Sequence, residues 1–200
     1  MGRKSKAGVR RQEILSNFYE VIIEEGLEGA TIAKIGKKMG VNPSLILHYY
    51  ADKASMLEEL IRYIVDTYAS NIIPEFGDVS DPRERWEDFI DVVYQINWER
   101  YINCGVFYSC YVLALRDKKI SQQFSDLYAR LADRMVQEIE HATQSGVIAV
   151  TDARLAAETI VALLEGTNFY QYLQQEAPRA DESRTKLKGI IQALFTHRTF

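Results

Sequence analysis

The apolar positions of this chain recur every three or four residues along nearly its whole length, the spacing that lines one face of a helix. A first stripe, Ile14, Phe18, Val21 and Ile22, follows Arg11, and Gly26 supplies its stop. Three helix starts then crowd into one short span. Thr31 and Asp52 offer side-chain oxygens to the unpaired N–H groups of a first turn, and Asn42 does the same ahead of Pro43, which has no N–H to satisfy. The stretch from Thr31 to Leu57 therefore reads as a short helix, a tight turn at Met39-Gly40-Val41, a second short helix and the start of a long third one. Ile32, Ile35, Val41, Ile46 and Tyr50 can share one small core. That leaves Asn42, Ser44, Leu45, Leu47, His48 and Tyr49 on the outer face of the second helix, a mixture of amide, hydroxyl, imidazole and apolar groups that suits a DNA major groove.

The pattern stays helical beyond this point. Met56, Leu60, Ile61, Ile64, Val65, Tyr68 and Ile72 continue a stripe from Asp52 to Pro74, so one helix belongs to both halves of the chain and can transmit motion between them. Asp81-Pro82 begins another, carrying Trp86, Phe89, Ile90, Val93, Tyr94 and Trp98. The run VFYSCYVLALRD after Gly105 is apolar on most faces and is expected to be buried. Phe124, Leu127, Tyr128, Leu131, Met135 and Ile139 trace a stripe ending at Ser145-Gly146, and alternation of strand type extends no further than Val147 to Val150. Leu155 to Leu164 is apolar nearly all round, and Leu187, Ile190, Ile191, Leu194 and Phe195 form a final stripe. A helix with no polar side needs a second partner, so Ile160, Leu163, Leu164 and Thr167, with Leu187, Ile191 and Leu194, are expected at a four-helix interface across a two-fold axis, making a homodimer. The predicted fold is all-α, with a helix-turn-helix domain over residues 1–55 and a larger helical domain over 56–200.

Charge sharpens this division. The 200 residues carry a net charge of −4, yet residues 1–55 hold nine Lys and Arg against six acids, a net of +3. The remainder holds 15 against 22, a net of −7. A basic head on an acidic body is the balance expected of a phosphate-binding module joined to one that does not bind nucleic acid. Five cations and no acid fall in the first eleven residues; such a tail is either solvated only or an arm whose Arg3, Lys4, Lys6 and Arg10 reach phosphate or the minor groove. Lys34, Lys37 and Lys38, beside the second helix, are expected near phosphate, and the acids Glu20, Glu24 and Glu25 are expected to face away from it.

The ordered block Thr31, Ile35, Gly40-Val41-Asn42, His48-Tyr49-Tyr50-Ala51-Asp52-Lys53 and Met56-Leu57 resembles the DNA-binding signature of TetR-family regulators. It departs at Gly36 and Met39, where alanine is usual, at Pro43-Ser44, where a cation and glycine are common, and at Leu47, where tyrosine is frequent. The loss of that tyrosine hydroxyl shifts phosphate contacts toward His48, Tyr49 and Lys53. The later run from GVFYSCYVLALRDKKI to ARLAAETIVALLEG is similar to the C-terminal domain of the BetI-type subgroup. The resemblance implies a ligand-responsive transcriptional regulator, in most relatives a repressor that leaves a near-palindromic double-stranded operator when a small molecule binds. Asn42, Ser44 and Leu45 are then expected at base edges, Thr31, Lys34, His48, Tyr49 and Lys53 at phosphates, and Pro43 at the tip of the reading helix. An activator would share all these features, and a helical adaptor that binds no DNA would lack only the need for a basic head.

The body is rich in aromatics, most of which are expected to be core. Tyr94, Trp98, Tyr108, Tyr111, Asn168 and Tyr172 are the candidates for lining a pocket, since a buried tyrosine hydroxyl needs a partner. The BetI-type resemblance implies a quaternary ammonium held against aromatic faces. Cys104 and Cys110 lie six apart, off the same-face spacing of a helix, which favours two reduced thiols over a redox pair. No phosphate loop, nucleophile elbow or metal-spaced Cys/His set is present, so neither catalysis nor a cofactor is expected. No apolar run reaches the roughly 18 residues of a membrane span, which places the expected site of action in the cytoplasm.

Overall fold

The computed structural model describes residues 6–71, 79–95, 101–174, 188–190 and 193. Its helices include α1 (Lys6–Gly29), α2 (Ile32–Met39), α3 (Pro43–Tyr49), α4 (Lys53–Asn71), α5 (Pro82–Gln95), α6 (Cys104–Tyr111), α7 (Lys118–Gln144) and α8 (Ala153–Leu173), and residues 188–190 and 193 are helical as well. A 3-10 turn, Val112–Leu115, follows α6. No strand occurs among the described residues, and Val147 to Val150 are turn and coil. The fold is all-α, with two compact units: residues 1–68 with 98–125, and residues 69–97 with 126–200.

Helix starts follow the caps the sequence carries. The Thr31 hydroxyl oxygen accepts the Lys34 N–H at 3.3 Å, Asn42 Oδ1 accepts that of Ser44 at 2.9 Å, and Asp52 Oδ1 accepts that of Ser55 at 2.8 Å. The hydrogen bonds from Ser55 hold the Asp52 carboxyl below its usual pKa. Asp81, Asn103, Asp117 and Asp152 serve α5 to α8 in the same way. Regular α1 geometry is interrupted at Gly26. The turn after α2 depends on Gly40, whose φ of 66° is a left-handed value that side chains resist. The Gly40 N–H reaches Lys37 O at 3.2 Å and the Val41 N–H reaches Gly36 O at 2.9 Å, so two otherwise unpaired carbonyls close the helix.

In the first unit, Ile14, Phe18, Ile35, Ile46, Met56, Ile61 and Ile64 are wholly buried, and Tyr50 is 2% exposed. Ile35, Ile46 and Tyr50 thus form the small core read from the sequence, while Ile32 and Val41 lie only half-buried at its edge. Around α6, the Phe107 ring stacks on Tyr68 at 4.8 Å and meets Phe124 edge-on at 5.6 Å. Val106, Phe107 and Cys110 are buried there, but Val112 and Leu115 are 56% and 83% exposed. The apolar run after Gly105 is therefore buried only in its first half. The helix gives way to the 3-10 turn, whose tighter winding breaks the spacing that would return those side chains inward. Both cysteines are free thiols; burial pushes Cys110 up to about 12, so it carries almost no reactive thiolate at neutral pH.

In the second unit, Phe89, Ile90 and Val93 of α5, Leu127, Leu131, Met135 and Ile139 of α7, and Ala156, Ala157 and Ile160 of α8 make the core. Arg85 Nε and Nη2 grip the two oxygens of Glu138 at 2.7 and 2.8 Å, a bidentate pair fastening α5 to α7.

Gly36 shows why the helix-turn-helix departs from the usual alanine. A methyl group there would lie 3.0 Å from the Val41 carbonyl oxygen and 3.4 Å from the Pro43 ring. Gly36→Ala should gain roughly 1 kcal/mol of helix propensity and lose more to overpacking, lowering the melting temperature. An unchanged or raised melting temperature in Gly36→Ala would refute the packing explanation.

Candidate DNA-binding surface

The outer face of α3 is built by burying the opposite one. Ile46 is wholly buried, which turns Asn42, Ser44, Leu47 and His48 into solvent and leaves Pro43, Leu45 and Tyr49 half-exposed. Because Asn42 Oδ1 is spent on the cap, its amide N–H groups are what it can offer a base edge. His48 and Tyr49 meet edge-on, with ring centroids 5.2 Å apart. Thr31 is exposed, and its hydroxyl accepts the Lys34 N–H, leaving the hydroxyl proton for a phosphate oxygen.

The cations are less free than their number implies. Lys34 Nζ lies 2.7 Å from Glu25, and Lys38 Nζ lies 2.6 Å from Glu24 and 3.0 Å from Glu20. The acids of α1 do not turn away from this surface, as expected from repulsion; they pair with the lysines of α2. Pairs exposed to this degree contribute only about 0–1 kcal/mol, so a phosphate can compete for the lysines. Lys37 is exposed. Lys53 is half-buried and its ammonium donates to Leu27 O at 2.6 Å, satisfying a carbonyl near the end of α1; burial lowers its pKa.

Arg11 is the residue that sequence reading missed. Its Nη1 donates to Tyr49 O at 3.0 Å, where the last carbonyls of α3 lack helical partners. Its Nη2 lies 2.5 Å from Glu59 of α4, and its guanidinium carbon sits 4.4 Å from the Tyr50 ring centre. The Tyr50 hydroxyl donates back to Arg11 O at 3.4 Å. The Glu59 bond raises the Arg11 pKa, and burial carries Tyr50 up to about 12. One guanidinium thus joins α1, the end of α3, and α4. A signal was present, since Arg11 continues the Ile14, Phe18, Ile22 stripe one turn upstream and so points where an apolar residue is expected.

The six pocket candidates do not fall in one unit. Tyr108 and Tyr111 belong to the first, where both pack against Phe107. Asn168 and Tyr172, four apart on one face of α8, belong to the second, as does Tyr94 on α5; Trp98 lies outside the described residues. The Asn168 amide nitrogen is buried and has no hydrogen-bond partner among the described residues. Of the interface candidates, Ile160 and Leu164 are 1% and 7% exposed, covered by their own chain, while Leu163 and Thr167 are half-buried. What α8 leaves open is a different stripe: Leu155, Ala162, Gly166, Phe169 and Leu173. An all-round apolar helix gives no period from which to tell the two faces apart. Leu187, Ile191 and Leu194 lie outside the described residues, as do Arg3 and Lys4.

A capped two-helix element presented by an all-α chain is the arrangement of helix-turn-helix DNA-binding proteins. Residues 14–60 match the family described as bacterial regulatory proteins, tetR family, and residues 81–196 match the tetracyclin repressor-like C-terminal domain. The chain belongs to the TetR family of transcriptional regulators. It is 24% identical over 196 residues to the HTH-type transcriptional regulator BetI of Stenotrophomonas maltophilia, covering 96% of this chain and 95% of the relative. Over 79 residues it is 33% identical to BetI of Yersinia pestis, covering 38% of this chain and 40% of that one. A transcriptional regulator from Saccharomonospora viridis, solved in complex with choline, superposes with a TM-score of 0.79 at 21% identity over 95% of this chain and 99% of its own. A TetR regulator from Haloarcula marismortui gives 0.77 at 16% identity, covering 94% and 98%. Among the described residues no helix is long and apolar enough to cross a membrane, and no three His, Cys, Asp or Glu side chains are placed to hold a metal.

Replacing Arg11 by methionine keeps the aliphatic stem and removes the three charged contacts. Its side chain is 42% exposed and that of Glu59 30%, so solvent discounts the ion pair, and the expected loss is about 1–2 kcal/mol. That corresponds to a melting temperature roughly 3–6 °C lower. An unchanged melting temperature would show that the guanidinium holds nothing.

Proposed function

We propose that the chain is a ligand-responsive repressor that binds a near-palindromic operator as a homodimer and is released by a small molecule. The observation that carries this reading is the orientation of α3: Ile46 is wholly buried while Asn42, Ser44 and His48 are exposed along the opposite face. In this reading Asn42, Ser44 and Leu45 meet base edges, with Pro43 at the tip, and Thr31, Lys34, His48 and Tyr49 meet phosphates. Lys53 contributes by fixing the start of α4 against α1, or reaches phosphate after exchanging Leu27 O for it.

The open stripe of α8 supports the dimer. Leu155, Phe169 and Leu173 are 51%, 47% and 63% exposed, and among the described residues nothing lies within 4 Å of the place a Gly166 side chain would begin. Large apolar residues around a small centre let two helices approach closely. Relatives support the effector: the regulator of Saccharomonospora viridis was solved with choline, and the buried Asn168 amide nitrogen, with no partner among the described residues, is a donor that an effector oxygen can meet. We place the effector beside Asn168 and Tyr172, take choline as the first compound to try, and take α4 as the element that carries the response. To release DNA, the effector must prefer the non-binding state by at least about 1–3 kcal/mol.

Selection of bound duplexes from a random pool should return two inverted half-sites with centres about 34–36 Å apart or a multiple of that distance. Asn42→Ala should lose about 1–3 kcal/mol of discrimination at one position of each half-site. Recovery of no common sequence, or of a single unrepeated half-site, would refute the reading.

A further inference from the structure

The first unit contains a cleft of about 490 Å³ between α1, α4 and the residues leading into α6, within the size range of small-molecule sites. Its floor is aliphatic: Leu15, Leu60, Ile64 and Ile102 are all buried. Its rim is polar and aromatic, formed by Gln12 and Ser16 with Tyr19, Tyr63 and Tyr101. Tyr63 and Tyr101 are 59% and 44% exposed, so two large rings stand in water beside an apolar floor. Among the described residues no acidic or basic side chain lines the cleft, so the described lining offers an entering ion no opposite charge to offset its lost hydration. Tyr19 Oη accepts the Asn103 N–H at 2.6 Å and keeps its own proton for another acceptor. Burial raises the Tyr19 pKa, which keeps that proton in place.

We infer that this cleft binds an uncharged, ring-bearing small molecule with a hydrogen-bond acceptor, and that its occupancy is felt at α3 through Arg11. The connection is one residue long on each wall. Gln12 follows Arg11 in α1 and Leu60 follows Glu59 in α4, so each member of the Arg11–Glu59 pair is the chain neighbour of a lining residue, one on each wall. A ring wedged between the two helices pulls on the guanidinium that also holds the Tyr49 carbonyl. This site lies in the unit that carries α3, and it is separate from the effector position beside Asn168. The DNA half of the inference rests on the proposed operator binding; the binding half does not.

The test uses 2-naphthol, an uncharged two-ring probe whose hydroxyl both donates and accepts. Calorimetric titration of the full chain should show one saturable site per chain. Tyr63→Ala, which removes an exposed wall, and Ser16→Phe, which fills the rim, should each weaken binding at least tenfold, about 1.4 kcal/mol. Their circular dichroism and melting should stay near wild type, and Tyr172→Ala in the other unit should leave the titration unchanged. Absence of binding in the wild type, or binding unaltered in both cleft variants, would overturn the site. In a second arm, 2-naphthol should weaken binding to the selected duplex for the wild type and not for Tyr63→Ala. Equal DNA affinity with the cleft saturated would overturn the link to α3. Should the chain select no duplex at all, the operator reading fails while the titration still decides the cleft.

Discussion

The reading helix of this protein is seven residues long, too short to hold its shape in water unaided. Everything proposed for it depends on how its two ends and its inner face are fixed. Asn42 and Pro43 set the beginning, and Ile46 anchors the middle in the core. The end is the weak point, because its carbonyls have no helical partners and face the junction of α1 and α4. Arg11 supplies what is missing by donating to Tyr49 O while bound to Glu59 and lying over Tyr50. A single long cation therefore does for the C-terminal end what the Asn42 side chain does for the other.

Much of this fold was legible because its decisive signals are local. Thr31, Asn42 and Asp52 cap the helices that follow them, and Gly40 turns the chain where its left-handed conformation is required. Such features act across three or four residues and leave a mark in the order of side chains. The Arg11 contacts span 38 and 48 positions, and Lys53 reaches back 26 to Leu27. No spacing rule announces contacts of that range. The same is true of Lys34 and Lys38, whose neutralisation by Glu25, Glu24 and Glu20 appears only once α1 and α2 are packed.

Apolar pattern was informative where one side of a helix is polar and silent where neither is. The stripe of α4 lands in the core as read, from Met56 to Tyr68. Along α8, Ile160 and Leu164 turn inward while Leu155, Phe169 and Leu173 remain open, a division that composition alone leaves undetermined. The run after Gly105 shows a third case, in which a change from α to 3-10 winding exposes Val112 and Leu115. At Gly36 the departure from the family pattern has a steric cause, since a methyl group there would lie 3.0 Å from the Val41 carbonyl oxygen.

Whether Arg11 holds the reading helix in place can be measured by amide hydrogen exchange on the wild type and Arg11→Met. The informative amide is that of Tyr50, which is bonded to Ile46 O at 3.0 Å and closes the last turn of α3. In the variant this amide and its α3 neighbours should exchange on the order of tenfold faster, while the amides of α7 and α8 in the second unit keep their wild-type rates. Unchanged exchange in α3, or a uniform acceleration across both units, would contradict it.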